Sequence, residues 1–275
     1  MKPYLKTKDF FYTQEEFELL YDSDLDMLVT HPQPSDLSHY YKSENYISHS
    51  DSKKNILDKI YQCVKNFSLQ RKVKLINSFQ SVNKNLLDIG AGTGDFLLTA
   101  KRKGWDIEGV EPNAMASSKA KEKGILLRTD ISDLPNTYFD VITLWHVLEH
   151  LPNLSQQIKS ISTLLNAEGT LIIAVPNFKS YDAKKYKNFW AALDVPRHLW
   201  HFSQNSISLL FREHGLKITA TKPMLFDSFY VSLLSEKYKT GKSQFLNAMY
   251  TGLTSNLKAL STKEYSSLIY VLKKE

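Results

Sequence analysis

The chain of 275 residues contains a single cysteine, Cys63, so no intrachain disulfide is possible. That usage fits a reducing compartment, and the cytoplasm is the expected location. No apolar run approaches the ~20 residues that a membrane-spanning helix needs. The opening MKPYLKTKDFFYTQEEF carries charges where an export signal requires an apolar stretch, so no export is read. Repeats and low-complexity tracts are also missing. What is present is a core-forming composition, 42% hydrophobic and 23% charged, which excludes disordered, collagen-like and mucin-like chains. The length suffices to bury a sizeable core without cross-links.

The net charge of +6 is unevenly spread. From Glu236 to the end there are seven lysines, three glutamates and no aspartate. Such a segment either contacts nucleic acid or an anionic surface, or forms a solvated helical face. RNA therefore stays open as an alternative substrate.

Residues 1 to about 80 lack a regular strand pattern and read as an N-terminal extension of loops and helix. A helix is predicted from Asp51, with Ser50 as candidate N-cap and Ile56, Leu57, Ile60, Tyr61 and Val64 at helical spacing. From Lys84 onward short apolar runs alternate with helical segments. Strands are predicted at Leu86–Ile89, Asp106–Glu111, Ile125–Arg128, Phe139–Trp145, Thr170–Val175 and Leu216–Thr221. Helices are predicted at Asp95–Lys103, Ala114–Lys123, Leu154–Leu165 and Ser206–His214. Residues 223–264 read as helical, and Ser266–Leu272 adds a final strand. This alternation predicts an α/β domain, residues 81–275, with a mostly parallel sheet covered on both faces.

The stretch LDIGAGTGDF runs from a buried strand through Gly90, Gly92 and Gly94 into a helix. Glycines let a ligand approach the backbone, and the helix start offers unpaired N–H donors. A dinucleotide fingerprint would need a third glycine where Asp95 stands, and an aspartate there opposes a pyrophosphate. A phosphate-free ligand with a positive centre suits the loop better. Glu111, in GVEPN, stands at the end of the next strand, where a carboxylate can accept bonds from both hydroxyls of a ribose. Asp130 follows the third strand, within reach of an adenine amino group. Asp133 and Asp140 read as turn and strand-start residues, Leu148 and Leu151 as core.

Together, LDIGAGTGDF, Glu111 in GVEPN, Asp130 and DVITLWHVLEHL resemble class I S-adenosylmethionine-dependent methyltransferases, over roughly Lys84 to Thr221. The resemblance implies a Rossmann-like seven-stranded sheet with the last strand antiparallel, and S-adenosyl-L-methionine across the strand ends. By that resemblance Asp88, Gly90, Ala91, Gly92 and Gly94 hold the methionine portion, Glu111 and Pro112 the ribose, and Asp130 and Ile131 the adenine. Main-chain contact comes from Trp145 or His146. In related enzymes an N-terminal segment closes over the cofactor. Tyr41 and Tyr46 are therefore candidates to cover a sulfonium, an aromatic contact worth ~0.5–2 kcal/mol, or else simply pack the extension.

The segment His146-Val147-Leu148-Glu149-His150 reads H-x-x-E-H, a spacing some zinc proteases use on a helix. Here a buried strand precedes it and Pro152 stops any helix within a turn, which argues against a protease. It also resembles the segment of ubiquinone-pathway O-methyltransferases in which an acidic/His group is thought to bind a divalent cation. His146 stands where that group has an acid, and Glu149 and His150 serve equally as a hydrogen-bonded turn, so no metal ligand is assigned.

Residues 176–203 form a connection long for a compact domain, and such loops are usually functional, although His198 and His201 could also hydrogen-bond within it while Trp190 and Trp200 pack it down. DVPRHLWHFS within it resembles a segment common to one broad branch of these methyltransferases. Trp190, Arg197, His198 and His201 are the candidate acceptor contacts, Arg197 pairing an acidic group of the acceptor. His198, His146 and His150 are the candidate general bases. Thr240-Gly241-Lys242-Ser243 mimics the end of a phosphate-binding loop, but Glu236 occupies the required first glycine and no strand precedes it. The expected activity is methyl transfer to a small-molecule acceptor, at a hydroxyl oxygen. An RNA methyltransferase, a nicotinamide oxidoreductase and a non-catalytic cofactor-binding protein are the competing readings.

Overall fold

The computed structural model describes residues 1–41, 56–79, 83–134 and 138–275, with the side chains of the first helix from residue 64 onward. Ser50, Asp51 and Tyr46, and with them the expected cap and start of that helix, lie outside the described residues.

The first part of the N-terminal extension is built of strands, which corrects its reading as loops, while the expected helix is present at Ile56–Ile76. Strands β1 (Lys2–Lys8), β2 (Glu16–Asp22) and β3 (Met27–His31) form an antiparallel meander. Two aspartates make its turns. Asp9 accepts backbone N–H bonds from Phe11, Tyr12 and Thr13 at 3.0–3.1 Å, and Asp22 accepts from Asp24 and Leu25. In β2 the apolar Phe17 and Leu19 turn inward while Glu16 and Glu18 stay outside, a two-residue period that an acidic, aromatic composition concealed.

Helix α1 (Ile56–Ile76) leads to the main sheet. There β4 (Asn85–Ile89), α2 (Asp95–Lys101), β5 (Asp106–Val110), α3 (Ala114–Glu122), β6 (Phe139–Trp145), α4 (Leu154–Leu164) and β7 (Leu165–Pro176) alternate. After β7 come α5 (Tyr181–Tyr186), β8 (Trp200–His201), α6 (Gln204–Arg212) and β9 (Leu216–Pro223). The chain ends with α7 (Asp227–Thr240), α8 (Phe245–Thr262) and β10 (Ser267–Lys274). The strand order is β5-β4-β6-β7-β10-β9. The strands β5, β4, β6 and β7 run parallel, and β10 is antiparallel to β7 and β9, as the family resemblance implies.

The sheet has six strands rather than the expected seven. Residues 125–128 add only a bridge from Arg128 to Val110. Ile125 gives its N–H back to Ala120 at the end of α3, and Asp130 turns away to cap a short 3-10 turn, so Arg128 alone is left to pair. The core lies along β4, β6 and β7, where Leu86, Leu87, Val141, Ile142, Leu144 and Leu171 are fully buried. Each such side chain contributes about 1.5–3 kcal/mol through removal from water. Polar caps set the helix starts: Asn113 accepts from Met115 and Ala116, and Ser203 and Ser206 form a reciprocal box.

The meander joins the body through β8, which pairs with β3 at Leu28↔His201 and Val29↔Trp200. The N-terminal sheet and the 176–203 connection thus form one layer over the carboxyl ends of the parallel strands.

Candidate active site

Gly90 and Ala91 donate their N–H groups to the Val110 carbonyl at 2.8 and 3.0 Å, turning the chain sharply after β4. Gly90 and Gly94 both have positive φ. A Cβ on Gly90 would lie 2.3 Å from the Val147 side chain, and one on Gly94 would lie 3.1 Å from Ala120. Gly92 also has positive φ, but a Cβ there would meet nothing within 4 Å. Two glycines therefore serve close packing and the middle one faces open space, a cradle for a ligand. Asp95 is held by Lys65 and Lys123, both at 2.7 Å.

Around that cradle lie the other residues named from the sequence. Asp88 is buried under the loop and accepts a 2.6 Å bond from the Thr143 hydroxyl. Burial raises its carboxyl to about 7, against the pull of Thr143 and Lys72. Glu111 accepts from the N–H groups of Gly92 and Asn113, one on each oxygen, at 2.8 Å. Each oxygen keeps a second lone pair for a ribose hydroxyl. Pro112 next to it is exposed. Asp130 is exposed and accepts from the N–H and hydroxyl of Ser132, and Ile131 opens the 3-10 turn beside it. The Trp145 indole N–H is buried without a hydrogen-bond partner. Lys72 from α1 lies 4.4 Å over that ring, so its face already attracts a cation. Burial lowers the Lys72 ammonium to about 8, against Asp88 and Asp227. An open glycine cradle, two carboxylates at strand ends and an orphaned indole N–H fit an adenosine cofactor with a cationic centre.

The post-β6 turn brings the histidines together without a helix, because Leu148–His150 is one 3-10 turn. His146, at φ +58, lies 3.1 Å from Asp227 and 3.5 Å from Glu149. Burial works against its charge, but Asp227 and Glu149 prevail and raise it to about 10. It is a cation at neutral pH and cannot accept a proton, so it drops out of the three candidate bases. Burial and His198 lower His150 to about 4, leaving it neutral. Its Nδ1 lies 2.9 Å from both the Arg197 carbonyl and the Tyr41 hydroxyl. His198 Nδ1 donates to the Ala192 carbonyl at 2.9 Å, and its Nε2 lies 4.0 Å from Glu149.

Glu149 is fully buried and neither carboxylate oxygen has a hydrogen-bond partner. Burial would raise it, yet His146, His198 and His150 hold it at about 2. Among the described residues Glu149, His150 and His198 each offer an atom within 4.8 Å of the others, a set able to hold a cation.

The remaining loop residues face inward. Trp190 donates to Asp182 at 2.8 Å. Arg197, 1% exposed, spends its fork on Asp9 at 2.8 Å and Asp194 at 2.7 Å, so the guanidinium has no edge left for an acceptor. It clasps the β1–β2 turn to the loop. His201 donates from Nε2 to Thr30, whose own hydroxyl proton goes to the His198 carbonyl at 2.6 Å. Asp9, Thr30, Lys72 and Asp227 were not singled out in the sequence. Each stands far along the chain from its partner, and only Asp227, at a helix start, has a local signal.

His201 yields a pH prediction. Burial, then His198, lowers it to about 3 from the usual histidine value. The unfolded chain then takes up a proton below pH ~6.5 that the folded chain refuses. Its contribution to stability is present above that value and is lost as pH falls toward 3, at about 1.4 kcal/mol per pH unit. Urea unfolding at pH 7, 6 and 5 should show a His201→Asn variant losing one proton's worth of this slope relative to wild type. Equal slopes refute the assignment.

A Rossmann-like sheet with a glycine-loop cradle and an acid closing its second strand defines the class I S-adenosylmethionine-dependent methyltransferase architecture. The sequence matches the methyltransferase domain family over residues 57–221, and the chain belongs to that family. It is similar to a ubiquinone biosynthesis O-methyltransferase of Aeromonas salmonicida, 31% identical over 105 residues, 34% of this chain and 44% of that one. The chain thus spans under half the length of that relative. An uncharacterized methyltransferase of Anoxybacillus flavithermus is 28% identical over 152 residues, half of this chain and 71% of that one. In fold it resembles magnesium protoporphyrin IX methyltransferase from Synechocystis with bound SAH (TM-score 0.58, 14% identity, 87% of this chain and 99% of that one). It also resembles the Mycobacterium tuberculosis cyclopropane synthase MmaA2 (TM-score 0.55, 13% identity, 89% of this chain and 100% of that one).

Proposed function

We propose that this chain moves a methyl group from S-adenosylmethionine to a hydroxyl oxygen of a small-molecule acceptor. The observation that carries the acceptor chemistry is the Nε2 of His198, 4.0 Å from the buried Glu149 carboxylate. The cofactor supplies an activated methyl on a sulfonium, displaced in line to leave a neutral thioether. The loop from Asp88 to Gly94 would hold its methionine portion, Glu111 the ribose, and Asp130 with Ile131 the adenine. His198 Nε2 accepts the acceptor's hydroxyl proton, and the Glu149 charge stabilises the imidazolium that results. Residues 1–80 act as a lid over this site, and residues 176–203 as the acceptor-side wall of the 81–275 domain. The helical residues 223–264 are an insertion before the last strand. Alignment of donor and acceptor away from water contributes up to ~7–11 kcal/mol in favourable cases.

Calorimetric titration with S-adenosylmethionine and its demethylated product, with NADH as control, tests the donor. Micromolar binding of the sulfonium pair is expected, and Glu111→Ala should weaken it about 10- to 100-fold through lost charge-assisted hydrogen bonds. Binding of NADH alone would hand the site to an oxidoreductase. A labelled-methyl screen across phenols, alcohols, amines and RNA then separates the acceptors, RNA being marked by steep salt dependence.

A second reading rests on the cluster of Glu149, whose buried oxygens accept no hydrogen bond, with His150 and His198. A divalent cation held by Glu149, His150 and His198 would take over the polarisation of the hydroxyl. It predicts that Mg²⁺, Mn²⁺ or Zn²⁺ raises the unfolding temperature of wild type and not of Glu149→Gln.

A further inference from the structure

Helix α8 is built the wrong way out for a protein surface. The residues it buries are small or polar: Ala248, Thr251, Gly252, Ser255 and Ala259. Those it turns to solvent are large and apolar: Phe245, Leu246, Tyr250, Leu253, Leu257 and Leu260, between 52% and 82% exposed. At 3.6 residues per turn, positions 246, 250, 253, 257 and 260 fall within an arc of about 80°, opposite the small residues. The inner face explains itself. Small residues let α8 lie close on α7, where a Cβ on Gly252 would come within 2.9 Å of the Phe229 backbone. Ser228 donates to the Gly252 carbonyl across the same contact. Helices in lipid pack in this manner, small side chains inward and leucines outward.

The apolar surface continues past α8. Asn256 donates to the Leu225 carbonyl at 2.9 Å, which sets exposed Leu225 and Phe226 against α8. The next residue, Asp227, is the one that meets His146 in the active site. The charges around the face have one sign. Lys237, Lys239, Lys242, Lys258 and Lys263 are exposed. The acids of the same stretch are turned inward: Asp227 to His146, Glu236 to Tyr186, and Glu264 to Asn177. Two copies of so basic a hairpin would repel one another, whereas an anionic surface would attract it.

We propose that the α7–α8 hairpin docks on an anionic lipid bilayer, with the α8 leucines entering the acyl boundary and the lysines meeting the headgroups. The helix lies on the bilayer and does not cross it: among the described residues no helix is long and apolar enough to span a membrane. The inference is independent of the methyl-transfer reading.

Flotation of the full-length protein with phosphatidylcholine vesicles, with and without phosphatidylglycerol, is the test. Binding is expected on the phosphatidylglycerol vesicles and should fall about tenfold or more in a Leu253→Gln/Leu257→Gln variant. A Lys237→Glu/Lys239→Glu/Lys242→Glu variant and raised salt should weaken it comparably. All these positions are exposed, and circular dichroism with the unfolding midpoint verifies that the variants fold. Absence of vesicle binding overturns the proposal, as does equal binding by wild type and the leucine variant. So does a solution dimer that the leucine variant dissociates, which would make a second copy the occupant. RNA binding that needs the lysines and ignores the leucines overturns it as well.

Discussion

Replacing Arg197 by methionine is expected to cost about 3–5 kcal/mol of stability, the usual cost of stranding a buried charge. The Asp9 side chain it leaves behind is 0% exposed, and nothing else near it carries a positive charge in the observed bonds. Burial pushes the Asp9 carboxyl up, and Arg197 with the backbone N–H groups of Thr13 and Tyr12 outweighs it, so the substitution removes the main support of a buried acid. For a chain of this size the loss corresponds to an unfolding temperature lower by roughly 10 °C. The double variant Arg197→Met/Asp9→Asn should recover part of it, because an amide needs no counter-charge and still accepts from the turn. Thermal and urea unfolding provide the measurement. A single variant within about 1 kcal/mol of wild type would show the clasp to be no stronger than a surface pair.

The second large effect concerns His198. With a hydroxyl acceptor, His198→Asn is expected to lower kcat by about 10²–10⁴, the range of a general base, while the calorimetric Kd for S-adenosylmethionine moves less than about twofold. An amine acceptor, which carries its own lone pair, should show a far smaller loss. If kcat with a hydroxyl acceptor survives the substitution, proton removal belongs elsewhere, and neutral His150 is the group next to it, with ring centroids 4.6 Å apart.

The sequence was most legible where burial is two-sided. Phe139–Trp145 is a strand over the whole of its expected range, because a central parallel strand must be apolar on both faces. The glycine loop was equally plain, since positive φ at Gly90, Gly92 and Gly94 is a demand on residue type. Edge and surface strands were harder. Ile125–Arg128 has the apolar residues of a strand, yet Ile125 gives its N–H to the end of α3 and only Arg128 pairs with β5. The three histidines were legible as a group but not in their roles. The charge on His146 is set by Asp227, and the tautomer of His198 by a carbonyl whose position the sequence does not disclose. Arg197 looked free for an acceptor because one of its two carboxylate partners, Asp9, is 188 residues away.

That distance has a consequence for how the protein comes into being. The parallel core from β4 to β7 is assembled from neighbouring stretches of chain. The N-terminal meander meets its closing strand only through contacts such as Thr30 to His198, 168 residues apart. Long-range pairing is slow because the loop must close before any contact rewards it. During synthesis β1–β3 leave the ribosome long before β8 and must wait, one strand edge unpaired, until Trp200-His201 has been made. The parallel sheet is thus free to take shape early, and the layer that joins the meander to β8 is completed late, by an older part of the chain folding back onto a much younger one.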